Sequence, residues 1–129
     1  MLIKKTSYFE VDDKIAGAII KLNQLGYTTT YCCSSHPEDK DSDPPYIMFT
    51  KLVSPWIKTI PNNWYVDKRF KECVIKRHFS NEEKEIFTGE QLVDLAMKEL
   101  NNWIDKLPKF ENPYEIMRME VIIWKRLIE

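Results

Sequence analysis

The segment from Tyr31 to His36 gathers two thiols, two serine hydroxyls and an imidazole within six consecutive residues. A cysteine becomes a nucleophile when a base lies within hydrogen-bond reach and its pKa is lowered. Cys33 and His36 are therefore the candidate catalytic pair of a small cysteine enzyme. The alternative is a small core cysteine beside an ordinary loop histidine, because buried thiols are usually inert.

A metal site is the second chemistry that these residue types permit. Cys32, Cys33 and His36 form one cluster and Cys73 with His78 forms another, and a tetrahedral zinc site needs four such ligands. Successive residues of a strand face opposite sides, so Cys32 and Cys33 are expected to diverge, as are Cys73 and His78. No metal is therefore predicted, and Cys32, Cys33 and His36 remain the alternative ligand set.

Anion binding is the third chemistry. Hydroxyls and loop N–H groups at the end of a strand could hold a phosphate, and Arg77 could add a cation if its strand neighboured the strand at 27–33. Tyr46 and Trp64 would then offer aromatic surface for a nucleotide-like ligand. The alternative is a solvated basic edge strand around Arg77. The predicted ligand-binding residues are Thr30, Cys33, Ser34, Ser35, His36, Tyr46, Trp64 and Arg77.

Known motifs add little to these three readings. The acidic loop 38–43 has a spacing like that of calcium ligands, but it lacks the turn glycine and the closing glutamate of an EF-hand. Phosphate-loop, dinucleotide-binding, serine-elbow and HExxH patterns are all absent from the sequence. No cofactor is predicted.

The composition is that of an ordinary globular protein. The 129 residues are 43% hydrophobic and 30% charged, which predicts a single domain over 1–129. A formal net charge of -1 makes nucleic acid an unfavoured partner. Apolar runs are too short to span a membrane, and residues 1–5 do not resemble a secretion signal. The three cysteines form a poor disulfide framework, so we expect reduced thiols in a cytoplasmic protein.

Sequence patterns predict the elements that hold these residues. Strands are expected at 2–10, 27–33, 46–51 and 73–79, with irregular structure at 52–66. A helix beginning at Asp12 or Asp13 should end at Gly26, where a left-handed terminus favours glycine. Strand 46–51 should pair antiparallel with 27–33 across the polar loop.

The second half of the chain is predicted to be mainly helical. Capping boxes at Ser80 with Glu83 and at Thr88 with Gln91 open a short element and a long helix that ends before Pro108. Residues 114–128 are expected to form a third helix, with a strand at 119–123 as the alternative, and 113–128 could serve a homodimer. The predicted fold class is α+β: a mostly antiparallel or mixed sheet of about four strands with two or three helices packed on it.

Part of the chain resembles a group of small uncharacterised proteins of bacteriophages and Firmicutes. Residues 22–36 read LNQLGYTTTYCCSSH and residues 46–49 read YIMF, against a group pattern LN-x-x-GY-x-T-x-x-CCSGH followed by YI-x-F. Residues 60–64 and 74–77 are similar to that group's P-x-x-W and VIR segments. Ser35 stands where the group has glycine. The resemblance implies a phage setting, with a role in host interaction or defence evasion.

A fainter resemblance is to the wybutosine-synthesis methyltransferase family, whose motif reads YTTSSCSGR. The run Tyr27-Thr28-Thr29 and the pair Cys33-Ser34 are similar to it, whereas His36 replaces the arginine. This implies only a cofactor-related or RNA-related role.

Together the residues favour a non-enzymatic binding protein that captures a nucleotide-like ligand or a bacterial protein through the loop at 30–36. A small enzyme using Cys33 and His36 is the alternative, and a structural or regulatory protein without a ligand is the third.

Overall fold

The computed structural model describes residues 13–34 and 43–110. Helix α1 spans Asp13–Gln24, and it buries Ile15, Ala18, Ile19 and Leu22 at helical spacing. Gly26 follows with φ 97°, a conformation that suits glycine because it has no Cβ, and the helix ends there as predicted.

Four strands form one antiparallel sheet within the described residues. They are β1 (Thr29–Cys33), β2 (Tyr46–Phe49), β3 (Tyr65–Val66) and β4 (Val74–Lys76), in the order β1-β2-β4-β3. The predicted pairing of β1 with β2 is confirmed. The predicted strands at 27–33, 46–51 and 73–79 are each longer than the observed β1, β2 and β4. The region 52–66, expected to be irregular, contains a 3₁₀ turn at Ser54–Trp56 as well as β3. A strand of two residues forms because it pairs with β4, and it is too short to produce an alternating pattern in the sequence.

Two helices follow the sheet, and both begin at the predicted capping boxes. Helix α2 spans Asn81–Ile86 and helix α3 spans Gly89–Ile104. The hydroxyls of Ser80 and Thr88 accept the N–H of Glu83 and Gln91, whose side chains bond back to the cap N–H groups.

The core lies between the sheet and the helix pair α1 and α3. It joins Ile15 and Leu22 of α1, Ile47 and Phe49 of β2, and Leu100 of α3, all fully buried. In the described part of the chain, one antiparallel sheet and three α-helices confirm the predicted α+β class. We call the face toward α1 and α3 the helix face and the opposite one the outer face.

Some predictions concern parts of the chain that the structure does not describe. The expected strand at 2–10, the helix at 114–128 and the dimer surface at 113–128 lie outside the described residues. Across 13–34 and 43–110, no helix is both long and apolar enough to span a lipid bilayer.

Candidate functional site

Strand β1 carries the first half of the predicted loop. Thr29 pairs with Phe49 and Tyr31 with Met48, so Thr30 is an extra residue that forms a β-bulge. The Thr30 hydroxyl donates to the carbonyl of Met48 at 3.2 Å. Beyond the bulge, Tyr31 lies on the outer face and is 66% exposed. The bulge therefore presents a tyrosine to solvent from a paired strand.

The two adjacent cysteines point to opposite faces, as strand alternation predicts. Cys32 pairs with Ile47 and packs against the helix-face core. Cys33 pairs with Tyr46, and both lie on the outer face. None of the three cysteines is in a disulfide. One metal ion could not reach thiols on both faces of β1, so Cys32 and Cys33 are disfavoured as ligands of the same ion.

Tyr46 lies in a row of side chains across the outer face. Its neighbours are Cys33 on β1 and Lys76 on β4, and Lys76 in turn pairs with Tyr65 on β3. Burial, followed by the negative charge that Cys33 would carry as a thiolate, raises the pKa of the Tyr46 phenol. The phenol therefore stays protonated at neutral pH and acts as a hydrogen-bonding group rather than a base.

The cation in that row is already engaged. Lys76 Nζ lies 2.9 Å from Oδ2 of Asp67, a buried carboxylate that also receives a 2.6 Å bond from Arg69 Nη2. Hydrogen bonds from Arg69 and then Lys76 hold the pKa of Asp67 well below its usual range. Lys76 therefore reaches a ligand on the outer face only by giving up this ion pair.

The structure does not bring Arg77 together with Cys33. Strand β2 lies between their strands, and Arg77 follows Lys76 with its side chain on the helix face. Its guanidinium donates to Glu99 at 2.8 Å, to Glu83 at 2.7 Å and to the carbonyl of His78 at 2.8 Å. Arg77 is 3% exposed, so its charge serves these internal partners.

Trp64 is likewise placed inside the molecule. It is 5% exposed and belongs to the core cluster, and its indole Nε1 has no hydrogen-bond partner among the residues that the structure describes. A ring enclosed in the core cannot stack on a ligand at the surface. Trp64 therefore contributes packing area, which is the common role of a buried aromatic residue.

The remaining predicted residues lie at or beyond the edge of the described chain. Ser34 is 4% exposed, whereas Ser35 and His36 lie outside the described residues. Within residues 13–34 and 43–110 no three metal-binding side chains come together. Burial raises the pKa of the Cys73 thiol, which makes it a weak nucleophile at neutral pH.

Sequence reasoning missed the two acidic partners of Arg77. Glu83 was recognised only as part of a capping box, and Glu99 was not singled out. Glu99 lies seven residues after Leu92, on the apolar face of α3. A carboxylate at such a position is a signal for a buried cation, because an isolated charge there would be costly.

Comparison with known proteins gives no further guide. No family model, no curated protein and no solved structure matches this chain.

Proposed function

We propose that the protein is a non-enzymatic binding module of the bacterial cytoplasm that docks a protein partner on its outer face at the end of β1. The observation that carries the proposal is Tyr31, which is 66% exposed although it stands on a hydrogen-bonded strand. Tyrosines of this kind are enriched at interface centres, since they bury a large ring at the cost of only two side-chain torsions.

The surroundings of Tyr31 support a protein surface over a small-ligand pocket. Tyr65, 42% exposed, lies on the outer face at the opposite edge of the sheet. Arg77, the cation expected for a nucleotide-like ligand, is engaged with Glu83 and Glu99, and Lys76 on the outer face is engaged with Asp67. An extended face with aromatic edges and neutralised charges suits a protein partner. The resemblance to phage proteins makes a host protein the expected class of partner.

Site-specific photo-crosslinking tests the proposal. A benzophenone amino acid is placed at Tyr31 and, as the matched control, at Ile86, which is 72% exposed on α2. Both variants are incubated with bacterial extract, and the crosslinked proteins are identified by mass spectrometry. We expect one protein to be captured from position 31, to be absent from position 86, and to be competed away by unmodified protein.

The captured partner is then purified and its affinity is measured. Tyr31→Ala should weaken binding by about 30-fold, since a central aromatic anchor contributes about 2 kcal/mol or more. Cys33→Ala should bind within about threefold of the parent if no thiol chemistry is involved. An identical set of proteins crosslinked from positions 31 and 86 would contradict the proposal. Loss of a product-forming activity in Cys33→Ala would favour the enzyme instead.

A further inference from the structure

A cleft lies between the 3₁₀ turn Ser54–Trp56 and residues 67–73, which connect β3 to β4. Its volume is about 590 Å³, which falls within the range of small-molecule sites. Its two walls are tied together, because the Ser54 hydroxyl accepts the N–H of Cys73 at 2.8 Å. The Phe49 N–H also donates to the carbonyl of Cys73 at 2.9 Å, which fixes that wall to β2. The cleft is thus part of the folded framework.

The cleft has an apolar surface with an exposed aromatic ring. Pro55, Ile57, Phe70 and Cys73 are among its lining residues. Phe70 is 43% exposed, and the cations of Lys76 and Arg69 lie 5.7 and 5.9 Å from the centre of its ring. This surface can take the planar body of a ligand.

Three lysines supply positive charge around the same cleft. Lys51, Lys68 and Lys71 line it together with two carboxylates, Asp67 and Glu72. Asp67 is neutralised by cations that do not line the cleft, as described above. Glu72 Oε1 lies 3.9 Å from Lys51 Nζ, and among the described residues no ion pair is formed by Lys68 or Lys71. Charge balance therefore leaves the ammonium groups of Lys68 and Lys71 in excess.

We infer that this cleft binds an aromatic phosphate of about the size of a nucleoside monophosphate. The planar body would lie on Phe70, and the doubly charged phosphate would match the two lysines in excess, Lys68 and Lys71. The inference does not rest on the proposed function, because neither Tyr31 nor any other residue of the 30–36 loop lines the cleft.

Thiol footprinting of the natural chain locates such a ligand. Cys73 lines the cleft, whereas Cys32 and Cys33 lie on β1 and serve as internal references. The alkylation rate of each cysteine is followed by peptide mass spectrometry while adenosine 5′-monophosphate is titrated. We expect saturable protection of Cys73 by several-fold and no change at Cys32 or Cys33. Adenosine alone and inorganic phosphate alone should protect only weakly, since each supplies one half of the recognition.

Charge reversal tests the role of the lysines. In Lys68→Glu/Lys71→Glu the affinity for adenosine 5′-monophosphate, measured by calorimetry, should fall by about tenfold or more. The matched control reverses Lys21 and Lys98, two exposed lysines on α1 and α3, and should bind like the parent. Circular dichroism checks that both variants keep their fold.

Three outcomes would overturn the inference. These are no saturable binding up to about 10 mM nucleotide, protection of Cys32 or Cys33 in place of Cys73, and equal loss of affinity in both double variants. Protection at Cys33 would instead return the small-ligand site to the loop and count against the proposed protein surface. Failure of either proposal is thus recognisable by itself.

Discussion

Arg77 Nε donates to Glu99 Oε1 at 2.8 Å, and this bond joins the end of β4 to helix α3. The same guanidinium bonds both carboxylate oxygens of Glu83, at 3.0 and 2.7 Å. Asn63 adds a 2.7 Å bond to Glu99 from the segment before β3. One arginine therefore connects the sheet to both C-terminal helices of the described chain. Glu83 and Glu99 each accept more than one hydrogen bond.

Arg77→Met should destabilise the fold by about 3–5 kcal/mol, because it leaves a largely buried carboxylate without its cation. Glu99 is that carboxylate, with its side chain 10% exposed. Urea denaturation at neutral pH measures the change. The control is Lys14→Met, which removes a 3.5 Å pair with Asp94 between exposed side chains. It should cost less than about 1 kcal/mol. Equal losses in the two variants would refute a stabilising role for the buried cluster.

Stability should fall in acid over a defined window. Hydrogen bonding from Arg77, opposed by burial, lowers the pKa of Glu83 from 4.5 to about 2. A carboxyl with a lowered folded-state pKa stabilises the fold fully above its unfolded pKa and loses that contribution as pH falls through the folded value. Urea midpoints should therefore drop between about pH 4.5 and pH 2. Asp67, whose pKa is lowered by Arg69 and Lys76, acts in the same direction.

Glu83→Gln separates this contribution from the general effect of acid. It should be less stable than the parent at neutral pH, since the ion pair is lost and one of the two oxygens that accept from Arg77 becomes an NH₂ group. Its stability should then change less steeply over the same pH window. A slope identical to that of the parent would show that Glu83 does not titrate as described.

Two glycines should respond to alanine in opposite ways. At Gly26, φ is 97° and an added Cβ would overlap the carbonyl oxygen of Phe110. Gly26→Ala should therefore destabilise the fold by more than about 1 kcal/mol and disturb the Tyr27–Phe110 ring contact. Gly17 lies inside α1 with open space around it. Gly17→Ala should stabilise the helix by about 1 kcal/mol. Thermal unfolding of both variants checks the difference in sign.

The cap of α3 offers a prediction with its own rescue. Thr88→Ala removes the hydroxyl that accepts the Gln91 N–H at 3.2 Å and should cost about 1 kcal/mol. Thr88→Ser keeps the oxygen and should stay within about 0.5 kcal/mol of the parent. Chemical denaturation of the pair distinguishes capping from lost packing. If both variants lose the same stability, the methyl group and not the cap is responsible.

Several features of the fold were determined by local sequence. The positions where α2 and α3 begin follow from their capping residues, Ser80 and Thr88. The end of α1 follows from the backbone freedom of Gly26. The opposite directions of Cys32 and Cys33 follow from the two-residue period of a strand. Each of these depends on interactions within a few residues, so a linear pattern is enough to predict them.

Only the tertiary structure decided which side chains meet. The order β1-β2-β4-β3 places β2 between Cys33 and Arg77, and strand order depends on contacts between distant segments. Burial of Trp64 and the pairing of Arg77 with Glu83 and Glu99 depend on how α2 and α3 pack beside the sheet. The sequence by itself thus determined that Tyr31 to Cys33 lie on a strand and that Cys32 and Cys33 point to opposite faces. Packing decided that Tyr31 faces solvent on the outer face and that Arg77 lies on the helix face. The partners of a charge or a ring depend on which residues are close in three dimensions, and not on their distance along the chain.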